Sequence, residues 1–452
     1  MIRIVIALAV SLLVAGCQED GPSFSTQTTE GEMDYTLIQS PGSDYISIQV
    51  AWPTDWAGRA DVNQAAPRTA IDLMLAGGAT GFPPGEVVEL FADLDAEAYL
   101  DVTVDHVLGQ LTFPPEHLYQ VLEVANAHLA SPTFDESWFA RVRDGFEQNV
   151  VESRAQDQFL AFEAVRWAVF GEQPIRNALS MDEPGLFENL KLEDVRQWHA
   201  EFITNAPQTV VVVGDTDAET AGTAVDLLFA SLPDPGDIAP APFAADFTPL
   251  RILLHRPDAQ ATTLGFVGQV PPTRMGQEFE DLMLLDALGQ GDQSVLFNAV
   301  RTELRASYGF SVGFANYSRE DRIFYMTGEV EGSKLADAER VIREAYDAFR
   351  ADGPSGSVAD RKVPYNEYFS DIWEYVVDQG QMEIQSVLDG YPVGRSLDIL
   401  GEVESVSADT LAERLTTAFP PASDLIMVAV SPDADALPGA CVITAPQEAM
   451  DC

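Results

Sequence analysis

The chain has 452 residues, 46% of them hydrophobic, which is enough to bury a sizeable core and excludes wholesale disorder. Asp and Glu number 72 against 25 Lys and Arg, a net charge of −47. A field of that sign repels nucleic acid and anionic headgroups, so nucleic acid is not expected as a partner.

Met1 to Gly16 reads as a secretory signal: Arg3 is the positive start and Ile4 to Ala15 the apolar run. That run is too short to span a bilayer, which needs roughly 20 apolar residues. It ends in Val14-Ala15-Gly16-Cys17, which resembles a bacterial lipobox, with Cys17 as the lipidated first residue of the mature chain. The polar residues 17–30 read as a tether. The expected location is the cell envelope, lipid-anchored and facing the periplasm. Gln18 after the lipidated cysteine leans towards the outer membrane. The other cysteines, Cys441 and Cys452, lie in the tail at 437–452, either as a bridge in an oxidising compartment or as two thiols.

A first domain is expected over 31–232. Tyr45 to Trp52 alternates apolar and polar residues, as a strand does. A helix containing Asp72-Leu73-Met74-Leu75 stops at Gly77-Gly78. Pro84 to Ala96 reads as a helix, Tyr99 to Phe113 as antiparallel strands, and Leu118 to Leu129 and Ser137 to Phe170 as helical. Thr209 to Gly214 is a buried strand, followed by an acidic turn. A linker at 233–247 holds Pro233, Pro235, Pro240 and Pro242. The second domain, 248–436, repeats the order: a strand at Thr262 to Gly268, a helix with Asp281-Leu282-Met283-Leu284 ending near Gly289, and a closing strand at Leu425 to Ser431. Three matches in one order argue for an internal duplication. The class is α+β, with two homologous layered domains, each an antiparallel sheet packed with helices.

This duplicated order resembles the pitrilysin/insulinase family of zinc peptidases, whose homologous halves form a clamshell. The resemblance spans about residues 30 to 436. It is carried by Met74-Leu75-Ala-Gly-Gly-Ala-Thr80, by Leu118 to Phe134, and by Leu296-Phe297-Asn-Ala-Val-Arg301-Thr-Glu-Leu-Arg-Ala-Ser-Tyr308-Gly-Phe. The family places H-x-x-E-H on the first helix, two zinc-binding histidines with a water-activating glutamate between them. On this alignment Thr69 and Leu73 stand at the histidine positions and Asp72 at the base position. The third ligand would be a Glu farther on, Glu147 or Glu152. The histidines at 106, 117, 128, 199 and 255 do not rebuild such a site by spacing. No metal is expected in this chain.

The resemblance assigns Arg301 and Tyr308 to the family's Arg and Tyr, which grip substrate carbonyls and donate to the oxyanion of the tetrahedral intermediate. The family commonly has Gly-Leu between them where this chain has Arg305-Ala306. Some small members work as pairs, one subunit bringing the zinc motif and the other the Arg and Tyr. The resemblance therefore implies a zinc-less subunit of a heterodimeric peptidase, acting on peptides through Arg301 and Tyr308 in trans. Zinc is expected in a homologous partner subunit. The other reading is a membrane-anchored scaffold or peptide-binding lipoprotein with no proteolytic role. Nothing in the sequence argues for hydrolysis by this chain alone, since no histidine has an evident nucleophile partner.

Overall fold

The computed structural model describes residues 22–180, 185–238, 243–274, 276–291, 293–303 and 310–452. In chain order the first half comprises β1 (Ser23–Thr28), β2 (Asp34–Gln39), β3 (Ile46–Pro53), α1 (Ala66–Ala76), α2 (Val87–Asp93), β4 (Glu97–Val102), β5 (His106–Phe113), α3 (Leu118–Ala130), α4 (Glu136–Arg154), α5 (Asp157–Phe170), α6 (Ile175–Ser180), α7 (Leu192–Phe202), β6 (Thr209–Gly214) and α8 (Ala218–Phe229). The second comprises β7 (Arg251–His255), β8 (Thr262–Val270), α9 (Glu278–Gly289), a π-helical stretch (Phe297–Glu303), β9 (Phe310–Asn316), β10 (Arg322–Val330), α10 (Leu335–Asp352), α11 (Val358–Asp371), α12 (Val376–Leu388), α13 (Ile399–Ser405), α14 (Ala408–Ala418), β11 (Ile426–Ser431) and β12 (Cys441–Ile443).

The strands form two six-stranded sheets, β1-β2-β6-β3-β5-β4 and β12-β7-β11-β8-β10-β9. The last five positions of the two orders correspond strand for strand. Among them one pair in each sheet is parallel, β2 with β6 and β7 with β11, and the other pairs are antiparallel. The duplication is thus one of topology. The sixth strand breaks it: β1 enters antiparallel from the N-terminal side, and β12 enters parallel from the C-terminal side.

Both sheets are buried on both faces, which is why their central strands read as unbroken apolar runs. Val210 and Val212 of β6 face the first half's own helical layer, together with Ile48, Trp52 and Met74. Val211 and Val213 face the other way, against Ile384 and Leu388 of α12 from the second half. The exchange is reciprocal. Ile252, Val267, Val428 and Val430 of the second sheet meet Leu160, Ala164 and Val165 of α5 from the first half. Each half therefore lends one helix to the other's sheet. Gly380 permits the close approach of α12, since a Cβ there would lie 2.7 Å from Gln49 Cγ.

Three sequence expectations change. The segment 17–30 is not wholly a tether, because β1 pairs along its length with β2. The strand is an edge with a polar sequence and little burial, so it has no apolar alternation to announce it. The tail 437–452 is built into the second half: β12 joins the sheet, Pro446–Asp451 packs on α5, and a Cys441–Cys452 disulfide closes the segment, with Cα atoms 5.8 Å apart. The helical run Ser137 to Phe170 is two helices parted at Ala155 and Gln156, where Gln156 adopts an extended backbone before α5. The leader and Cys17 lie outside the described residues. Among the described residues, no helix is long and apolar enough to cross a membrane.

Candidate functional site

Helix α1 begins with Pro67 in its first turn, where a missing N–H costs nothing, and ends at Gly77, whose N–H reaches Leu73 O at 2.7 Å. Its inner face carries Thr69 and Leu73, both fully buried. The Thr69 hydroxyl has no hydrogen-bond partner among the described residues, a deficit of about 1–3 kcal/mol for a buried polar group. Leu73 offers no donor atom and packs into the first half's core. Asp72 lies on the outer face and is accessible to water. Surrounding protein nevertheless crowds its carboxyl and raises it above the usual carboxylate range, with the Arg68 charge pulling the other way. Arg68 itself leans to Asp101, at 3.6 Å.

These residues do not fit a zinc ion. Zinc requires three or four N, S or O ligands converging at about 2 Å. Here two of the motif positions point into a packed core and the third is a lone carboxylate. Glu147 and Glu152 stand on α4, which packs on α1, and the Glu152 carboxylate accepts from Gln148 at 2.8 Å. Among the described residues, no group of three or more His, Cys, Asp or Glu is placed to hold a metal. Four histidines are instead tied into the fold. His128 Nδ1 bonds Val124 O at 2.8 Å, and His199 Nε2 bonds Leu129 O at 2.7 Å. His106 Nε2 meets Gln208 Oε1 at 2.9 Å, and His255 Nε2 meets Pro432 O at 3.2 Å. Burial first of all pushes His106, His128 and His199 below the ordinary histidine value.

Arg301 is exposed on the π-helical stretch, with its guanidinium over the Phe297 ring at 5.0 Å. Such wide turns are rare and often mark functional positions. Tyr308 lies outside the described residues, so the Arg–Tyr pairing has no geometry here.

The sequence reading missed the polar centre of the second half. Asp281, fully buried on α9, accepts from Arg322 Nη1 at 2.5 Å and from Arg414 Nε and Nη2 at 2.6 and 2.8 Å. Its signal was an aspartate inside the apolar run Phe279 to Leu285, where a solvated carboxylate has no place. A second cluster joins the halves: the Arg319 backbone N–H donates to Asp105 at 2.8 Å, and its side chain pairs with Asp389.

Residues 189–361 match the sequence model of the family described as Peptidase M16 inactive domain. No curated protein matches the chain in sequence. Among solved structures, the peptidase M16 inactive domain from Pseudomonas fluorescens is 15% identical with a TM-score of 0.78, over 91% of this chain and 98% of that one. A protease from Helicobacter pylori is 13% identical with a TM-score of 0.76, over 91% of this chain and all of that one. The periplasmic protease PqqL from Escherichia coli is 13% identical with a TM-score of 0.68, over 95% of this chain and 50% of that one. The chain therefore has the fold of these M16-type structures over nearly its whole length and carries the sequence of the M16 inactive domain at its centre, with a first helix that lacks zinc ligands.

Proposed function

We propose that this protein is the non-catalytic subunit of a heterodimeric M16 zinc peptidase. It supplies Arg301 and Tyr308 to the active site of a homologous partner that carries the zinc, and one wall of the chamber that takes up peptides. The single observation that carries the reading is the contrast between α1 and Arg301. The face of α1 that would hold zinc is sealed into the core, while the arginine that would act on another subunit's substrate stands free of the core on a π-helical turn. A zinc ion held by the partner would supply Lewis-acid polarisation of the scissile carbonyl and activation of water. The residues of this chain would hold substrate carbonyls through the guanidinium and donate to the developing oxyanion through the phenol. Anchoring at Cys17 would keep the assembly in the periplasm at the outer membrane.

The scaffold reading draws support from the contact of Arg301 with Phe297, which gives that arginine a local packing role. An association and activity test separates the two readings. The purified chain and a zinc-motif M16 subunit from the same genome are assayed on a quenched peptide, alone and mixed, with association followed by sedimentation. The proposal expects a one-to-one complex that cleaves while this chain alone does not. Cleavage by this chain alone, or no complex, overturns it.

A further inference from the structure

We propose that the cavity between the two halves binds a small multivalent oxyanion of the carboxylate or phosphate class. The cavity holds about 540 Å³, within the range of small-ligand sites. Four of the chain's 25 basic residues line it: Arg68 from the first half and Arg274, Arg319 and Arg322 from the second, with His106 beside them. Against them stand three carboxylates of the wall, Asp105, Glu278 and Asp389, so the lining carries a narrow excess of cations in a chain of net charge −47.

The acidic groups in the wall are already engaged. Asp105 accepts the Arg319 backbone N–H, Asp389 pairs with the Arg319 side chain, and Glu278 accepts from Arg395 at 2.8 Å. The guanidinium groups are not all satisfied. Arg274 reaches Glu320 through Nη1 at 2.6 Å, but its Nη2 is shut off from water and has no partner among the described residues. A turn of that guanidinium would bring Nη2 to an anion in the cavity. The Arg68 contact with Asp101, at 3.6 Å, is longer than a hydrogen bond.

His106 sits below its ordinary value through burial, with the Arg319 and Arg274 charges adding to the effect. Arg319 is itself depressed, by burial first of all, with Asp389 pulling it up and Arg274 pushing it further down. An oxyanion would relieve this crowding of like charge. It would bridge Arg68 and His106 of one half to the arginines of the other, and so hold the halves in register.

Calorimetric titration of the purified full chain with inorganic phosphate, and separately with citrate, tests this at ionic strength fixed with sodium chloride. Saturable binding at one site is expected, and the tighter of the two anions identifies the class. Arg274→Gln and Arg68→Gln should each weaken it tenfold or more. Arg196→Gln, an exposed α7 arginine beside Glu193, should leave it unchanged. Absence of saturable binding with both anions overturns the proposal. So does unchanged affinity in both cavity variants, or equal weakening by Arg196→Gln.

Discussion

Helices α1 and α9 carry the same four residues, Asp-Leu-Met-Leu, at corresponding points of the two halves, and they use the aspartate in opposite ways. In α9 it turns inward: Asp281 is fully buried between Arg322 and Arg414, and Leu282 is half out. In α1 it turns outward: Asp72 meets water and Leu73 is sealed in the core. A rotation of about one residue, near 100° of helix, separates them. What fixes the rotation is the partner available, since a buried carboxylate is tolerable only where cations meet it. The second half supplies two arginines. In the first half Arg68 stays at the surface, and Thr69 takes the inner position instead.

The largest way to break this comparison is at the carboxylates. Asp281→Asn leaves two buried guanidinium groups without their anion and should cost about 3–5 kcal/mol. Asp72→Asn should move stability by no more than about 0.5 kcal/mol. Denaturant unfolding of the two variants side by side checks this, and equal losses would erase the distinction. Next come the neighbouring leucines. Leu73→Ala should cost about 2–5 kcal/mol by opening a cavity in the core, and Leu282→Ala, half exposed, clearly less.

The edge strands give a smaller contrast. In the second half the disulfide closes a segment with a sequence separation of 11 and fixes β12, whereas β1 has no covalent clasp. Cys452→Ser should therefore destabilise by about 2–3 kcal/mol on loop-closure grounds. Hydrogen exchange would show the loss at β12 and the adjoining face of α5, with β1 unaffected.

The smallest effect is in pH. His106, His128 and His199 are all buried in the first half, whereas His255 in the second is half-buried. Take His199: burial holds its folded pKa below the ordinary 6.5, so the folded protein keeps the neutral ring to lower pH than the unfolded chain does. The stability it allows is complete above that value. It falls as pH drops below 6.5, where the unfolded chain gains the proton first. His199→Gln should flatten the fall of Tm between about pH 7 and pH 5. An unchanged slope would place the acid sensitivity elsewhere.

Most of the fold was legible in the sequence. The runs around Val210 to Val213 and Ile426 to Val430 announced buried strands, and the repeated order of elements announced the duplication. The exchange of α5 and α12 was not legible, because an apolar helical face says that it is covered and not by which half. The edge strands β1 and β12 were missed because edges carry polar sequence or too few residues for a period. At the site, the replacement of donor residues at 69 and 73 was plain from residue type. The burial of Thr69 and the service of Asp281 to two distant arginines required the folded chain, since Arg322 and Arg414 lie far from it in sequence.

The central claim is that this chain gives Arg301 to a partner's chemistry. It is tested most directly by Arg301→Ala in the mixed assembly, with sedimentation and peptide cleavage measured on the same samples. The account predicts an intact complex whose turnover falls by about a hundredfold. An intact complex that cleaves at the unaltered rate would contradict it and leave Arg301 as a packing residue on Phe297.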